Sequence, residues 1–357
     1  MTEDSICIEV NRKQGELTIR LAKKIGLINK DFKIQNYQEN LYIPLLRQPN
    51  ESELELLNRF LSGFKISKGS FSPKKNNIKK ISDLLEDKIP DHLLKILPQS
   101  MDIVGDIAII DIPNDLKKYD TILGNAILEI NKNVKTVLSK LSPVKGVYRL
   151  RSLEFISGEN RTTTIHVEFG CKYHLDVAKA YFSPRLSQEH NRVSSLVNKR
   201  KEVIIDLFAG VGPFSILIAK NNPDVKIFAV DINPVAIEFL KKNIRLNRVD
   251  KTVIPLTEDA RNLIDKQFKG SADRVIMNLP EKAKDFIDIA CEMIKPNGGI
   301  IHYYEFIRYP DSIKQAQTRF CELVKDVGRK VNCFLSVKNI RETAPYQHQV
   351  AFDVKID

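Results

Sequence analysis

No two cysteines stand in a CxxC spacing; the five, at positions 7, 171, 291, 321 and 333, are scattered and odd in number. That argues against a disulfide framework and a cysteine-type zinc or iron–sulfur site, so no metal is expected and a reducing cytoplasm is the natural setting. Long apolar runs are lacking too. The longest, Val203 to Ala219, holds Asp206, two glycines and Pro213, which is wrong for a membrane span. The opening Met1-Thr2-Glu3-Asp4-Ser5 has neither a basic leader nor an apolar stretch, so no signal peptide is expected. Acidic residues are the minority: 45 Asp and Glu face 56 Lys and Arg, leaving +11 on 357 residues. A chain this basic suits a polyanionic partner, nucleic acid before an anionic membrane surface. Residues 141–200 carry +5 of that charge, and the bland alternative there is a solvated linker face.

What is present fits a folded protein of on the order of two or three domains, since 43% apolar residues can bury a sizeable core. Residues 1–66 read as a small α/β unit. Strands are expected at Ile6–Val10 and Tyr42–Leu45, and helices at Gln14–Gly26 and Glu51–Leu61, the latter opened by Asn50. Ser67–Lys80 turns to Ser, Gly, Asn and Lys and reads as a linker. A middle domain follows over 75–180, with a helix at Leu84–Leu97 and a glycine-interrupted strand at Ile103–Ile110. A helix near Tyr119–Asn131 then leads into a strand at Val134–Leu138. Phe155-Ile156 and Thr164–Phe169, joined by a polar turn, read as a β-hairpin.

Residues 181–357 alternate strand and helix at the spacing of a doubly wound parallel sheet, a Rossmann-like α/β domain preceded by two smaller α/β or α+β domains. Its expected strands are Val203–Leu207, Lys226–Val230, Val253–Leu256, Arg274–Met277 and Gly299–Tyr304. Val331–Val337 and His348–Val354 close the chain as an antiparallel pair.

The first of those strands runs into Asp206-Leu207-Phe208-Ala209-Gly210-Val211-Gly212-Pro213-Phe214, which opens a helix. Gly210 and Gly212 let backbone approach a ligand at a helix N-terminus. A dinucleotide fingerprint would carry a third glycine where Ser215 stands, and Asp206 would repel a phosphate yet suit an ammonium. That favours a cofactor with an amino-acid end, S-adenosyl-L-methionine. Asp231, ending the next strand, can accept both ribose hydroxyls, and Asp259-Ala260 after the third can meet the adenine amino group. Asn278, after the fourth strand, is the polar contact expected for a planar base. The stacking aromatic of adenine-N-methylating enzymes is missing, since Leu279 and Glu281 follow. Cys291 falls in an apolar helix stripe and reads as core rather than nucleophile.

Together, Gly146-Val147-Tyr148-Arg149-Leu150-Arg151, Gly158-Glu159-Asn160-Arg161-Thr162, Asp176-Val177-Ala178-Lys179, Tyr181-Phe182-Ser183-Pro184-Arg185-Leu186 with Glu189, the Asp206–Phe214 loop and Asn278-Leu279-Pro280 resemble the archaeal and eukaryotic tRNA (guanine-37-N1)-methyltransferases. The resemblance covers most of 140–357. It implies methyl transfer to guanosine 37 of tRNA, with the first 140 residues binding RNA and the 1–66 domain recognising the outer body of the tRNA; a monomer is a separate expectation. Glu189 matches the general base for the N1 proton, Arg149 the cation that steadies O6, Asn278 the orienting asparagine and Tyr181 a tyrosine that orders the site. Pro280 belongs to the same motif. Phe208, Asp231, Ile232, Asp259 and Ala260 match cofactor contacts. One departure is His190, where the family usually has arginine.

The chemistry is coherent on its own terms. Guanine N1 carries a proton at neutral pH, so its methylation needs a base for N1–H and a cation for the enolate-like oxygen. The competing structural reading makes Arg149 and Glu189 an ion pair joining two domains. Two other functions stay open: a wyosine-pathway enzyme on the same scaffold, moving a methyl or aminocarboxypropyl group, and a nucleic-acid-binding module with a vestigial cofactor fold.

Overall fold

The computed structural model describes residues 2–73, 80–86, 88–197, 201–264 and 268–357. The chain divides into two compact units, Met1–Asp83 and Leu84–Asp357.

In the first unit, β1 (Glu3–Asn11) is central to an antiparallel sheet with β2 (Gln35–Tyr37), β3 (Asn40–Pro44) and β4 (Lys65–Phe71), in the order β2-β3-β1-β4. Helices α1 (Gly15–Lys24) and α2 (Glu51–Phe60) close a core of Ile8, Val10, Leu27, Ile43, Leu45 and Leu57. Asn50 does open α2. Its side chain accepts from Glu53 N at 2.9 Å while Glu53 returns a bond to Asn50 N, a reciprocal cap. The expected linker starts too early, because Ser67–Phe71 is strand, paired with Cys7 back to Glu3. Its small and polar residues suit a thin edge strand, so low apolar content did not mean loop. The unit therefore runs past residue 66. Residues 74–79 of that linker lie outside the described residues.

The second unit begins within α3 (Ile81–Leu85), followed by α4 (Asp91–Leu94). The single helix expected over Leu84–Leu97 is broken at Pro90, extended at φ −60°, ψ 142°; proline lacks an N–H and disfavours helix in the residue before it. Strands β5 (Met101–Val104), β6 (Ile107–Ile110), β7 (Thr136–Lys140) and β8 (Leu153–Gly158) form a sheet in chain order, with α5 (Asp120–Ile130) packed on it.

The hairpin expected between Phe155-Ile156 and Thr164–Phe169 is not formed. β8 pairs with β7, while β9 (Thr163–Glu168) pairs with β10 (Cys171–Asp176) in a sheet of two. The tight turn is Phe169-Gly170, both at positive φ (47° and 77°), as a two-residue hairpin requires. The polar segment before β9 is a crossing instead, held where Arg161 forks onto Asp106 and bonds Glu159.

α6 (Ser187–Leu196) leads into a seven-stranded sheet of β11 (Val203–Asp206), β12 (Lys226–Asp231), β13 (Val253–Thr257), β14 (Arg274–Met277), β15 (Gly299–Arg308), β16 (Val331–Ala344) and β17 (Gln347–Ile356). Their order is β13-β12-β11-β14-β15-β17-β16, with β11–β15 parallel and the last two antiparallel. α7 (Pro213–Asn221) and α8 (Pro234–Asn247) cover one face; α9 (Ile287–Met293) and α10 (Ile313–Asp326) cover the other. β11 and β14 are nearly all buried and read as short continuous apolar runs for that reason.

The β9–β10 pair is fastened to this domain by two asparagines one turn apart on α8. Asn243 bonds the backbone N and O of His174, and Asn247 those of Lys172, so their amides act as a neighbouring strand for the β10 edge. Among the described residues no helix is long and apolar enough to cross a membrane.

Candidate active site

Strand order reverses between β11 and β14, and open α/β sheets take ligands in the crevice at the carboxyl ends of such strands. A cavity of about 410 Å³ lies there.

One wall is the loop after β11. Leu207 N donates to Ile276 O at 3.0 Å and Ala209 N to Val230 O at 2.8 Å, stitching the loop to both neighbouring strands. Gly210 lines the cavity at φ +55°, and its N–H donates to Asp231 Oδ2 at 2.7 Å. Gly212 has a different task from the one expected. It does not line the cavity; at φ +92°, an added Cβ would meet Leu240 Cδ1 at 2.4 Å, so it lets α7 close on α8.

Asp231 ends β12 on the cavity wall. Its second oxygen accepts from Asn233 N at 2.8 Å. Burial pushes its carboxyl above the ordinary carboxylate range, against the pull of those two N–H groups. Phe208, Ile232, Asp259 and Ala260 line the same cavity, and Asp259 caps the short helix after β13 through Arg261 N at 3.0 Å.

Asp206 does not join them. It is fully buried off the cavity wall, accepts from Ser215 Oγ at 2.7 Å, and its Oδ1 has no hydrogen-bond partner among the described residues. Burial, with Asp231 nearby, pushes its carboxyl up to about 7. Asp206 thus stands behind the cavity wall rather than on it, where the expected ammonium contact would place it.

On the substrate side, Lys145 and Leu150 exchange two backbone hydrogen bonds, closing the loop Gly146–Arg149 over the cavity. Arg149 has φ +56°, its guanidinium lies 5.1 Å from the Tyr181 ring centroid, and Nη1 is 2.9 Å from Glu281 Oε2. Asn278 follows β14, with Oδ1 3.5 Å from Gln349 Nε2. Arg149, Tyr181 and Asn278 all line the cavity; Pro280 does not, and its carbonyl accepts from Phe306 N at 3.3 Å.

Glu189 is off the wall as well. It is buried, accepts from Arg192 at 2.8 and 2.6 Å, and takes the Tyr304 hydroxyl at 2.6 Å. The Arg149–Glu189 ion pair of the competing reading is not formed: each has another partner.

His190 lines the cavity and is held from behind. Its Nδ1 meets Glu168 Oε2 at 2.8 Å, and its ring packs edge-on against Phe214 at 4.6 Å. Glu168 Oε1 is 3.2 Å from His166 Nε2, and His166 Nδ1 accepts from Gly105 N at 2.9 Å, which fixes the proton on His166 Nε2. Burial opposes ionisation of Glu168, but the bonds from both imidazoles outweigh it and hold the carboxyl below its usual range.

Residues 164–333 match the TRM5/TYW2 methyltransferase domain, 81–162 the TYW2 N-terminal domain and 7–53 the tRNA methyltransferase 5 N-terminal domain. The tRNA (guanine(37)-N(1))-methyltransferase Trm5b of Pyrococcus abyssi is 40% identical over 99% of each chain. The enzyme of that name from Methanocaldococcus jannaschii is 38% identical over 99% of each. The chain belongs to the TRM5/TYW2 methyltransferase family. A further relative, the tRNA 4-demethylwyosine(37)-methyltransferase Taw21 of Saccharolobus solfataricus, is 36% identical over 71% of this chain and 93% of its own. Among solved structures, the crystal structure of Trm5b from P. abyssi matches with TM-score 0.73 and 39% identity over 99% of both chains. The complex of an aTrm5 with tRNALeu matches with TM-score 0.69 and 36% identity, over 99% of this chain and all of the other. M. jannaschii TYW2 in complex with AdoMet matches with TM-score 0.56 and 28% identity, over 72% of this chain and 99% of the other.

The cavity of this TRM5/TYW2 family member fits S-adenosyl-L-methionine. It offers a carboxylate at Asp231 for hydroxyls, an apolar slot at Phe208 and Ile232, and polar groups at Asp259 and His190. Sequence reasoning missed Phe286, Arg261 and Glu281. Phe286 stacks edge-on with Phe208 at 5.0 Å, and the Arg261 guanidinium lies 4.0 Å from its centroid. In sequence Phe286 belongs to the apolar stripe of Cys291, which is core: burial pushes that thiol up to about 12. No local pattern separates the aromatic that touches the cavity from its neighbours.

Proposed function

We propose that this enzyme transfers the methyl group of S-adenosyl-L-methionine to N1 of guanosine 37 of tRNA. The observation that carries the reading is a convergence: Arg149, Tyr181 and Asn278, from three separate segments, line one cavity with Phe208, Asp231 and Asp259. The names of the P. abyssi and M. jannaschii relatives support the substrate, and the tRNALeu complex of a similar enzyme supports the partner.

When bound, S-adenosyl-L-methionine supplies a methyl group activated by its sulfonium. Asp231 holds the ribose hydroxyls, Asp259 and Ala260 the adenine edge, and His190 the amino-acid end. Asn278 orients the guanine. Arg149 exchanges Glu281 for O6 and steadies the charge that grows there as N1 loses its proton. Tyr181, beneath the guanidinium, keeps that arginine in place. Glu189 takes the proton. That role asks its carboxylate to turn from Arg192 and Tyr304 toward the cavity, one residue along α6 from His190.

The unit 1–83 contacts the tRNA away from the anticodon, and residues 84–180 add RNA-binding surface. The enzyme works as a monomer in the cytoplasm. The test is to incubate it with unmodified tRNA and cofactor, digest the tRNA, and identify the methylated nucleoside by mass.

A second reading rests on the match of residues 81–162 to the TYW2 N-terminal domain and on the Taw21 relative. The enzyme then also methylates the tricyclic base at the same position, which a tRNA carrying that base tests directly.

A further inference from the structure

Beside the first cavity lies a second of about 250 Å³. The two share Arg149, Tyr181, Phe182, Ser183 and Glu281. Five cations line the second, Lys140, Arg149, Arg151, Arg185 and Arg341, against the carboxylates of Asp102, Glu281 and Glu342. The partners are unevenly shared. Glu281 serves Arg149 at 2.9 Å, and Asp102 serves both Arg185 at 2.6 Å and Lys140 at 3.5 Å. Among the described residues Arg341 donates only to neutral groups, Ser183 Oγ and Gln349 Oε1, each at 2.9 Å. Arg151 has no hydrogen-bond or ion-pair partner among the described residues, and Glu342 is exposed and forms no ion pair among them.

Two half-buried arginines thus line one pocket, and neither has a carboxylate partner among the described residues. Guanidinium groups in that state suit an oxyanion that accepts several N–H bonds at once, and a phosphodiester is such a group. A base extruded from a single-stranded loop must enter a site while its backbone stays outside, and the cavity that takes the base adjoins this pocket across Arg149 and Tyr181. We propose that Arg151 and Arg341 bind the phosphodiester next to the target guanosine, so that the second pocket grips the backbone while the first receives the base. The inference rests on the tRNA reading above.

The experiment uses the full chain, bound cofactor, and two versions of one tRNA, natural and with a neutral methylphosphonate at the linkage on either side of the target nucleotide. Arg151→Ala should weaken binding of natural tRNA about tenfold or more and lower the salt slope by about one, with cofactor affinity unchanged. One of the two methylphosphonates should weaken the parent enzyme similarly yet add little to Arg151→Ala, because both remove the same contact. Arg151→Lys, which keeps the charge and loses the fork, should fall between and guards against a folding defect in the alanine variant. Unchanged tRNA affinity in Arg151→Ala, or losses that simply add, would overturn the proposal. Methylation of guanosine that ignores Arg151 sinks this inference alone. Binding that depends on Arg151 and the phosphodiester, with no methylated guanosine formed, leaves the grip standing and removes the reading it rests on.

Discussion

Glu189 and Arg192 stand one turn apart on α6 and share two hydrogen bonds, 2.8 and 2.6 Å long. Arg192 also forks onto Asp353 of β17, Asp353 meets His302 Nδ1, His302 Nε2 is 2.8 Å from Arg274 Nη1, and Arg274 Nε donates to Glu202 at 3.0 Å. This buried chain ties α6 to β14, β15 and β17. Burial pushes the His302 imidazole down and the bonds to Asp353 oppose it, while His302 and Arg192 hold the Asp353 carboxyl well below its usual range against burial. Removing one member strands the others' charge, so Asp353→Ala should cost roughly 3–5 kcal/mol of stability. A melting temperature equal to that of the parent protein contradicts this.

Glu189→Gln keeps the size and the Tyr304 contact but cannot take a proton. The chemical step in a single turnover should fall by roughly 10²–10⁴-fold, with little change in binding of either substrate. Raising the pH should partly rescue the variant as more guanine loses its proton in solution. Glu281→Gln is the contrast, since Glu281 lines the cavity and already holds Arg149. If Glu281→Gln shows the chemical loss and Glu189→Gln does not, the base is Glu281.

Asp231→Ala should weaken S-adenosyl-L-methionine by roughly 1.5–3 kcal/mol and leave tRNA affinity nearly unchanged, because a charged acceptor is lost from the cofactor wall alone. Calorimetry with each ligand separates the two effects. Equal cofactor affinity in the variant takes Asp231 out of the site.

Asp206 works against the fold at neutral pH. The unfolded chain releases this proton near 4, whereas the folded protein holds it to about 7. Between those values the folded state binds more protons, so this group's contribution to stability falls as pH rises and levels off above about 7. Asp206→Asn removes the titration and keeps an acceptor for Ser215. Its stability relative to the parent should rise through that window by at most about 1.4 kcal/mol per pH unit. A difference between the two proteins that does not vary with pH refutes the assignment.

The first unit should be removed at residue 83, not 66. A cut after 66 would strip β1 from Ser67–Phe71 and leave an unpaired edge. The fragment 84–357 should act on an anticodon stem-loop as the full chain does and bind whole tRNA more weakly. Equal losses on both substrates would argue against a role for the unit in reading tRNA shape.

The parallel strands were legible in the sequence because strands buried on both faces are continuous apolar runs; three end at a polar residue, Asp206, Asp231 and Asn278, of which the last two line the cavity. Arg149, Tyr181 and His190 were named through motifs and do line the cavity. The partners were not legible. Tyr304 is 115 positions from Glu189, and Asp353 is 161 from Arg192, so neither periodicity nor spacing carries the chain that turns Glu189 inward. The hairpin wrongly expected between β8 and β9 has a similar cause: local polarity marks a turn, but only the sheet neighbours decide whether it is a hairpin or a crossing.

The central claim is methyl transfer to N1 of guanosine 37. Its most direct test is mass analysis of tRNA nucleosides after incubation of the full chain with unmodified tRNA and methyl-labelled cofactor, followed by mapping of the labelled fragment. The account predicts 1-methylguanosine at the position 3′ of the anticodon, and none in a tRNA with another base there. Label on a different base or at a different position, or tight binding of tRNA and cofactor with no transfer, would contradict it.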